Sequence, residues 1–304
     1  MKRILYYLVY SVLWLITLLP LRVLYLFSDF VYLILYYLVG YRKKTVYQNL
    51  RNSLTDKSPQ EINRIARWFY RQLCDYFIES VYRIHMDEKE NSKRMHFRNP
   101  EKLQEYYKQG KSIVLLLSHY GNWEWPTRIT RLSSHTILAI YKPLQNKYFN
   151  RLFLQLRGQF GAIGIPMEST LRNLVTYQKD KKPVVLFTLA DQRPQWTSIQ
   201  HWTTFLNQDT PVITGPEKIA RRFNYPVIFL DIQKIKRGHY SGEFKLISED
   251  PIKDPEFHIT RKYHALVERK IQERPELWLW SHKRWKYFRH EAQNPMYIGN
   301  LSNP

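Results

Sequence analysis

Sulfur, glycine and negative charge are all scarce in this chain. A single cysteine, Cys74, excludes an intramolecular disulfide framework, and no Cys or His spacing fits a zinc site. Unpaired thiol chemistry suits a cytosol-facing protein, and Cys74, set among helically spaced apolar residues, reads as core rather than nucleophile. Ten glycines leave no Gly-x-Gly-x-x-Gly or Gly-x4-Gly-Lys-Ser/Thr cradle for a nucleotide, and no Gly-x-Ser-x-Gly elbow for a serine hydrolase. No bound cofactor and no metal is implied. Only 26 Asp and Glu stand against 47 Lys and Arg, so the formal charge is +21 and an anionic partner is required. Nucleic acid, a membrane surface, an acidic carrier protein and a phosphorylated lipid all satisfy that demand. No zinc finger, RNA-recognition signature or basic zipper is present, and the chain opens on membrane-like sequence, so nucleic acid is set aside.

What is abundant at the start is apolar and aromatic. Residues 4–19 form one hydrophobic arm, Pro20 interrupts it, and residues 21–41 form a second arm with only Arg22 and Asp29 charged. The first is short for a bilayer crossing, which wants about 20 residues, and the second is nearly long enough. Lys2 and Arg3 precede the pair and Arg42, Lys43 and Lys44 follow it, which favours both ends on the cytoplasmic side. Tyrosines at 6, 7, 10, 25, 32, 36, 37 and 41 suit the headgroup boundary. A helical hairpin dipping into the inner leaflet fits, as does one spanning helix beside an interfacial one. No Ala-x-Ala site argues for cleavage. Residues 1–44 are therefore read as a membrane anchor and 45–304 as one large domain.

Beyond the anchor, Ser58-Pro59-Gln60-Glu61 has the form of a capping box, and Ile62, Ile65, Ala66, Phe69, Leu73, Phe77 and Val81 recur at three- and four-residue spacing. That predicts a helix, with Arg64, Arg67 and Arg71 on its solvated or membrane-facing side. Further helices at 100–109 and 144–158 alternate with apolar runs at 113–117, 137–141, 184–189 and 227–230. The alternation predicts an α/β fold, a central mixed sheet flanked by helices, with ligands bound beyond the strand ends. His119, Lys142 and Asp191 would meet there.

The chemistry concentrates at His119-Tyr-Gly-Asn-Trp-Glu124, directly after the 113–117 run. On one continuous helix, residues five apart lie about 140° from each other and would not face one pocket. A turn at Gly121, with Asn122 as N-cap of a following helix, lets His119 and Glu124 converge. His119 then serves as general base, and Glu124 orients the ring and steadies its positive charge. Backbone N–H groups near Gly121, or the Asn122 amide, would supply oxyanion donors. For Asn122, capping and catalysis both stand.

These residues resemble the late acyltransferases of lipid A biosynthesis, within the glycerolipid acyltransferase superfamily. The stretch from Gly110 to Glu124 is similar to that family's strand and His-x4-Asp/Glu motif. Tyr141-Lys-Pro-Leu-Gln-Asn146, Arg157, Ala190-Asp-Gln192, Thr214-Gly-Pro-Glu-Lys-Ile-Ala-Arg221 and Pro275-Glu-Leu-Trp-Leu-Trp-Ser-His-Lys-Arg-Trp-Lys286 follow in the family's order. Lys142 stands where the family commonly has Arg, losing a bidentate fork. Thr204-Phe-Leu206 stands where it often has Phe-Phe-Gly.

The resemblance implies a membrane-bound O-acyltransferase of the bacterial inner membrane, its catalytic domain facing the cytoplasm. It would move a fatty acyl chain from acyl carrier protein or acyl-coenzyme A to a hydroxyl of a lipid A-type acceptor at an anionic membrane surface. An aminolipid, phospholipid or other glycolipid acceptor is the alternative. Outside enzymes, a catalytically silent polybasic lipid-binding protein would carry the same fold and leave His119 dispensable. Substrate contacts are expected from Asn122, Lys142, Arg157, Asp191, Gln192, Thr214 and Glu217, with helix capping the plainer role for Thr214 and Glu217. Arg222 matches no motif and reads as surface. Lys283, Arg284 and Lys286, interleaved with Trp280, Trp285, Tyr287 and Phe288, suit a membrane-surface edge, although Trp278 and Trp280 read equally as core.

Overall fold

The computed structural model describes residues 2–143 and 145–289; the end of the expected second domain, 290–304, lies outside them, as does Leu144 of the second motif. Two apolar helices, α1 (Lys2–Ile16) and α2 (Leu21–Leu33), are separated at Pro20, whose missing N–H and fixed φ favour a helix start over continuation. A π-helical turn, Ile34–Val39, prolongs α2, and Gly40 ends it at φ +62. Then come α3 (Lys43–Ser53) and the long α4 (Pro59–Tyr82). Ser58 and Glu61 close the expected capping box, each bonding the other's backbone N–H. Cys74 is buried in α4, where desolvation pushes its thiol up to about 12, far from a nucleophile.

The remaining elements build a sheet with helices on both faces. They are α5 (Glu88–Arg94), β1 (Met95–Arg98), α6 (Glu101–Lys108), β2 (Ile113–Leu117), β3 (Thr136–Tyr141), α7 (Lys147–Gly158), β4 (Ile163–Pro166), α8 (Thr170–Lys179) and β5 (Val184–Leu189). After the hairpin of β6 (Trp202–Phe205) and β7 (Gln208–Pro211) come α9 (Gly215–Phe223), β8 (Val227–Lys236), β9 (His239–Ser248) and α10 (His258–Glu273). The seven-stranded sheet has the order β1-β9-β8-β2-β5-β3-β4; β8 and β9 are antiparallel, and every other pair is parallel. Central β2 is buried on both faces, with Val114 and Leu116 packed into one core cluster and Ile113, Leu115 and Leu117 into the other. That explains its unbroken apolar run.

The segment expected to be an anchor does not stand apart from this core. Leu21, Leu24 and Tyr25 of α2 join the cluster containing Leu115, while Tyr32 and Tyr36 join the other. Residues 21–39 form a helix long and apolar enough to cross a membrane, but one stripe of it is committed to the protein. The opposite stripe, Leu26, Phe30 and Leu33, is at least half exposed.

The expected edge at 283–288 is corrected by packing. Trp278, Trp280 and Arg284 are buried, Arg284 donating to the Pro211 carbonyl, so Lys283, Lys286 and Phe288 are the exposed members of that stretch. Burial lowers the Arg284 guanidinium to about 9.

Candidate active site

The parallel register of β2 and β5 creates the site. Leu117 pairs with Leu189, so His119 and Asp191, each two residues further on, emerge side by side. Asp191 Oδ1 lies 2.8 Å from His119 Nδ1, and Oδ2 accepts from the His119 backbone N–H at 2.9 Å and the Trp278 indole at 2.8 Å. The Asp191 side chain is fully buried and that of His119 is 21 % exposed. Burial would raise the Asp191 carboxyl, but the facing imidazole and the bonds from His119 and Trp278 outweigh it and hold it down at about 2. An ionised Asp191 fixes the proton of neutral His119 on Nδ1 and leaves Nε2 as the basic nitrogen.

The carboxylate expected to orient the ring, Glu124, is engaged elsewhere. Arg157 grips it with both arms, Nη2 to Oε1 at 2.6 Å and Nε to Oε2 at 3.1 Å. Arg83, itself buried, approaches Oε2 at 3.4 Å and donates to the Glu124 carbonyl at 2.7 Å and to Thr127 Oγ1 at 2.9 Å. Burial works to raise the Glu124 carboxyl, yet the Arg157 charge, with help from Arg83 and His119, keeps it below its ordinary value. Glu124 is thus the centre of an Arg–Glu–Arg clamp joining α4, the motif loop and α7. The ring's hydrogen-bonded carboxylate is Asp191.

The motif loop is held from behind. Gly121, at φ +64, gives its N–H to the Leu277 carbonyl at 2.9 Å, and its position is unsuited to a side chain. Asn122 is fully buried: Oδ1 accepts from the N–H groups of Glu124 and Trp125, both at 3.1 Å, and Nδ2 donates to Glu79 Oε2 at 2.7 Å. Glu79 also receives the hydroxyls of Tyr25 and Tyr240, at 2.7 and 2.9 Å. Of the groups expected to serve as oxyanion donors, the Gly121 N–H and the Asn122 side-chain amide are thus already bonded within the protein. Through its bonds from the Glu124 and Trp125 N–H groups, Asn122 braces the entry to the 3-10 turn Trp125–Arg131, whose N-cap position is Glu124.

His119 opens onto a cavity of about 800 Å³ beyond the carboxyl ends of β2, β3 and β5. Its apolar wall includes Ile140, Phe153, Leu154, Leu171, Ile213 and Ile219. Five of the expected residues line it: His119, Glu124, Lys142, Arg157 and Gln192. Asp191 stands behind His119. Thr214 and Glu217 are buried away from it: Thr214 Oγ1 donates to Gln200 Oε1 at 2.8 Å, and Glu217 Oε2 accepts from the Thr260 N–H at 2.8 Å, near the start of α10. Glu217 therefore does serve a helix terminus, though not that of its own helix.

Arg222 is exposed, as expected of a surface residue, but it also lines the cavity with Gly215, Lys218 and Ile219, one face of α9 at three- and four-residue spacing. That spacing was the available signal. Tyr76 and Trp123, stacked with centroids 3.9 Å apart, were also missed on the wall. Of the two motif departures, Lys142 faces the cavity, whereas Thr204-Phe-Leu206 ends β6 and enters its turn to β7, with Leu206 at φ +50, and contributes nothing to the cavity wall.

An imidazole bonded to a buried carboxylate opens onto a largely apolar cavity that also carries Lys142, Arg157, Lys218 and Arg222, an arrangement able to move a proton beside a hydrophobic substrate. The model of the bacterial lipid A biosynthesis acyltransferases matches residues 1–287, and the chain belongs to that family. It is an acyltransferase acting on lipid, of a membrane-associated family. No curated protein matches it. Among solved structures it is similar to the 1-acyl-sn-glycerophosphate (LPA) acyltransferase of Thermotoga maritima, at 12% identity and a TM-score of 0.37, over 85% of this chain and 97% of that one.

Proposed function

We propose that this protein transfers a fatty acyl chain from acyl carrier protein, or from acyl-coenzyme A, to a hydroxyl of a lipid A-type precursor, with His119 as general base and Asp191 as its orienting carboxylate. The observation that carries the reading is the 2.8 Å contact between His119 Nδ1 and Asp191 at the mouth of an apolar cavity. His119 Nε2 takes the acceptor hydroxyl proton as the oxygen attacks the thioester carbonyl. The tetrahedral intermediate collapses with loss of the C–S bond, and the imidazolium returns the proton to the leaving thiolate. No covalent acyl-enzyme is needed. Ile140, Phe153, Leu154, Leu171 and Ile219 suit the hydrocarbon chain, while Lys142, Lys218 and Arg222, on the same wall system, suit acceptor phosphate or the developing oxyanion. Gln192 adds a neutral donor.

Residues 1–44 act as a membrane anchor and 45–304 as the catalytic portion. Because α2 spends one stripe on the catalytic portion, the anchor lies along the membrane surface with Leu26, Phe30 and Leu33 in the leaflet, rather than crossing as a free span. Cations at 2–3 and 42–44 favour the cytoplasmic face of the bacterial inner membrane.

Intact-lipid mass spectrometry of cells lacking the protein tests the reading. Restoring wild type should add one acyl mass to a lipid A-type species, and restoring His119→Ala should not. An acyl gain on an aminolipid or phospholipid instead keeps the mechanism and replaces the acceptor; equal action of both proteins sinks the mechanism.

A further inference from the structure

A second cavity, of about 830 Å³, opens between α2, α4, the β8–β9 hairpin and the segment after α10. It shares no lining residue with the acyl cavity. Three of its cations are neutralised: Arg237 pairs with Asp29 at 2.7 Å and Asp75 at 2.6 Å, Arg274 pairs with Glu276 at 3.0 Å, and Lys234 lies 3.8 Å from Asp75. Two lining cations, Arg71 and Lys236, have no carboxylate partner among the described residues. Both are exposed, and the Arg71 guanidinium is aligned by two rings, 4.9 Å from those of Tyr32 and Trp68. The apolar lining comes from Leu26, Phe30, Trp68 and Ile235, between 52 % and 70 % exposed. Leu26 and Phe30 belong to the stripe of α2 that the leaflet covers.

We infer that this groove binds one anionic glycerophospholipid from the surrounding leaflet, its phosphate on Arg71 and Lys236 and its chains along Leu26, Phe30, Trp68 and Ile235. The argument is complementarity. Unneutralised cations sit at the rim of a groove whose wall continues the membrane-facing side of the anchor, so an occupant drawn from the leaflet presents phosphate and hydrocarbon in that order. The inference rests on membrane association, and on no feature of the acyl cavity.

Full-length protein in nanodiscs of equal phosphatidylglycerol and phosphatidylcholine, released for native mass spectrometry, provides the test. Wild type should carry one phosphatidylglycerol in preference to phosphatidylcholine. Arg71→Gln/Lys236→Gln should retain on the order of tenfold less, with unchanged circular dichroism and melting. Arg98→Gln/Lys108→Gln, which removes the same charge from exposed positions elsewhere, should retain as much as wild type. Retention by the first variant equal to wild type, equal loss in both variants, no preference between the lipids, or displacement of the lipid by acyl carrier protein would each overturn the assignment.

Discussion

At the level of single residues, two buried carboxylates near His119 do different work: Asp191 bonds its ring, and Glu124, the carboxylate of the motif, bonds Arg157. Asp191 touches the His119 ring, so Asp191→Asn should cut kcat/KM by about 10²- to 10⁴-fold while leaving the fold intact, measured as acyl transfer in detergent. Glu124 neutralises two arginines, one wholly buried. Glu124→Ala should therefore cost about 3–5 kcal/mol in chemical denaturation, and Glu124→Gln should keep more activity than Asp191→Asn. The reverse ranking would return the orienting role to Glu124. Acid provides a further check. The folded Asp191 carboxyl is held at about 2 by His119 and Trp278, below its unfolded value of about 3.9. Its contribution is therefore fully present above about pH 4 and disappears as pH falls through about 2, so wild type and Asp191→Asn should converge in stability across that window. His119 was legible because an apolar run and a glycine turn flank it locally. The carboxylate bonded to its ring was not foreseen, because that contact spans 72 positions and exists only through the pairing of Leu117 with Leu189.

At the level of elements, local signals read well where one segment decides its own structure. The Ser58 box, the 3.6-residue period of α4 and the unbroken run of β2 are such cases. Ser58→Ala should lower stability by about 1 kcal/mol, seen in thermal or urea melts. Strands whose identity comes from their neighbours were not foreseen. β1 and β4 are four-residue edges, β9 alternates only partly, and β8 extends six residues past the apolar run because β9 supplies its hydrogen bonds. The two-sided behaviour of α2 was likewise invisible, since Leu24 and Leu26 are the same residue type in opposite surroundings, one buried and one exposed. Leu26→Lys/Phe30→Lys should release the protein from vesicles in flotation assays without changing its melting, whereas Leu24→Lys, on the buried stripe, should unfold it.

For the molecule as a whole, the proposed membrane association would draw on the charge of +21 and on the apolar stripe of α2 through different physics. Raising salt from about 0.15 to 1 M shortens the screening length from about 8 to 3 Å and removes most of the long-range attraction. Vesicle binding should weaken markedly on anionic vesicles, measured by sedimentation, and leave a salt-insensitive residue that the Leu26→Lys/Phe30→Lys variant lacks. A salt-independent association would assign no role to the charge.

Glu79 ties these scales together. One buried carboxylate holds Tyr25 of the anchor, Tyr240 of the sheet and Asn122 of the motif loop, and Asn122 in turn fixes the turn that carries Glu124. Cutting away the anchor to obtain a water-soluble enzyme would strip Glu79 of one donor and uncover the apolar flank of α4 that α2 protects. The truncated chain should express poorly and turn over slowly even when every residue of the acyl cavity is retained. Solubility for this enzyme is better sought by recolouring the outer stripe of α2 than by deleting the helix.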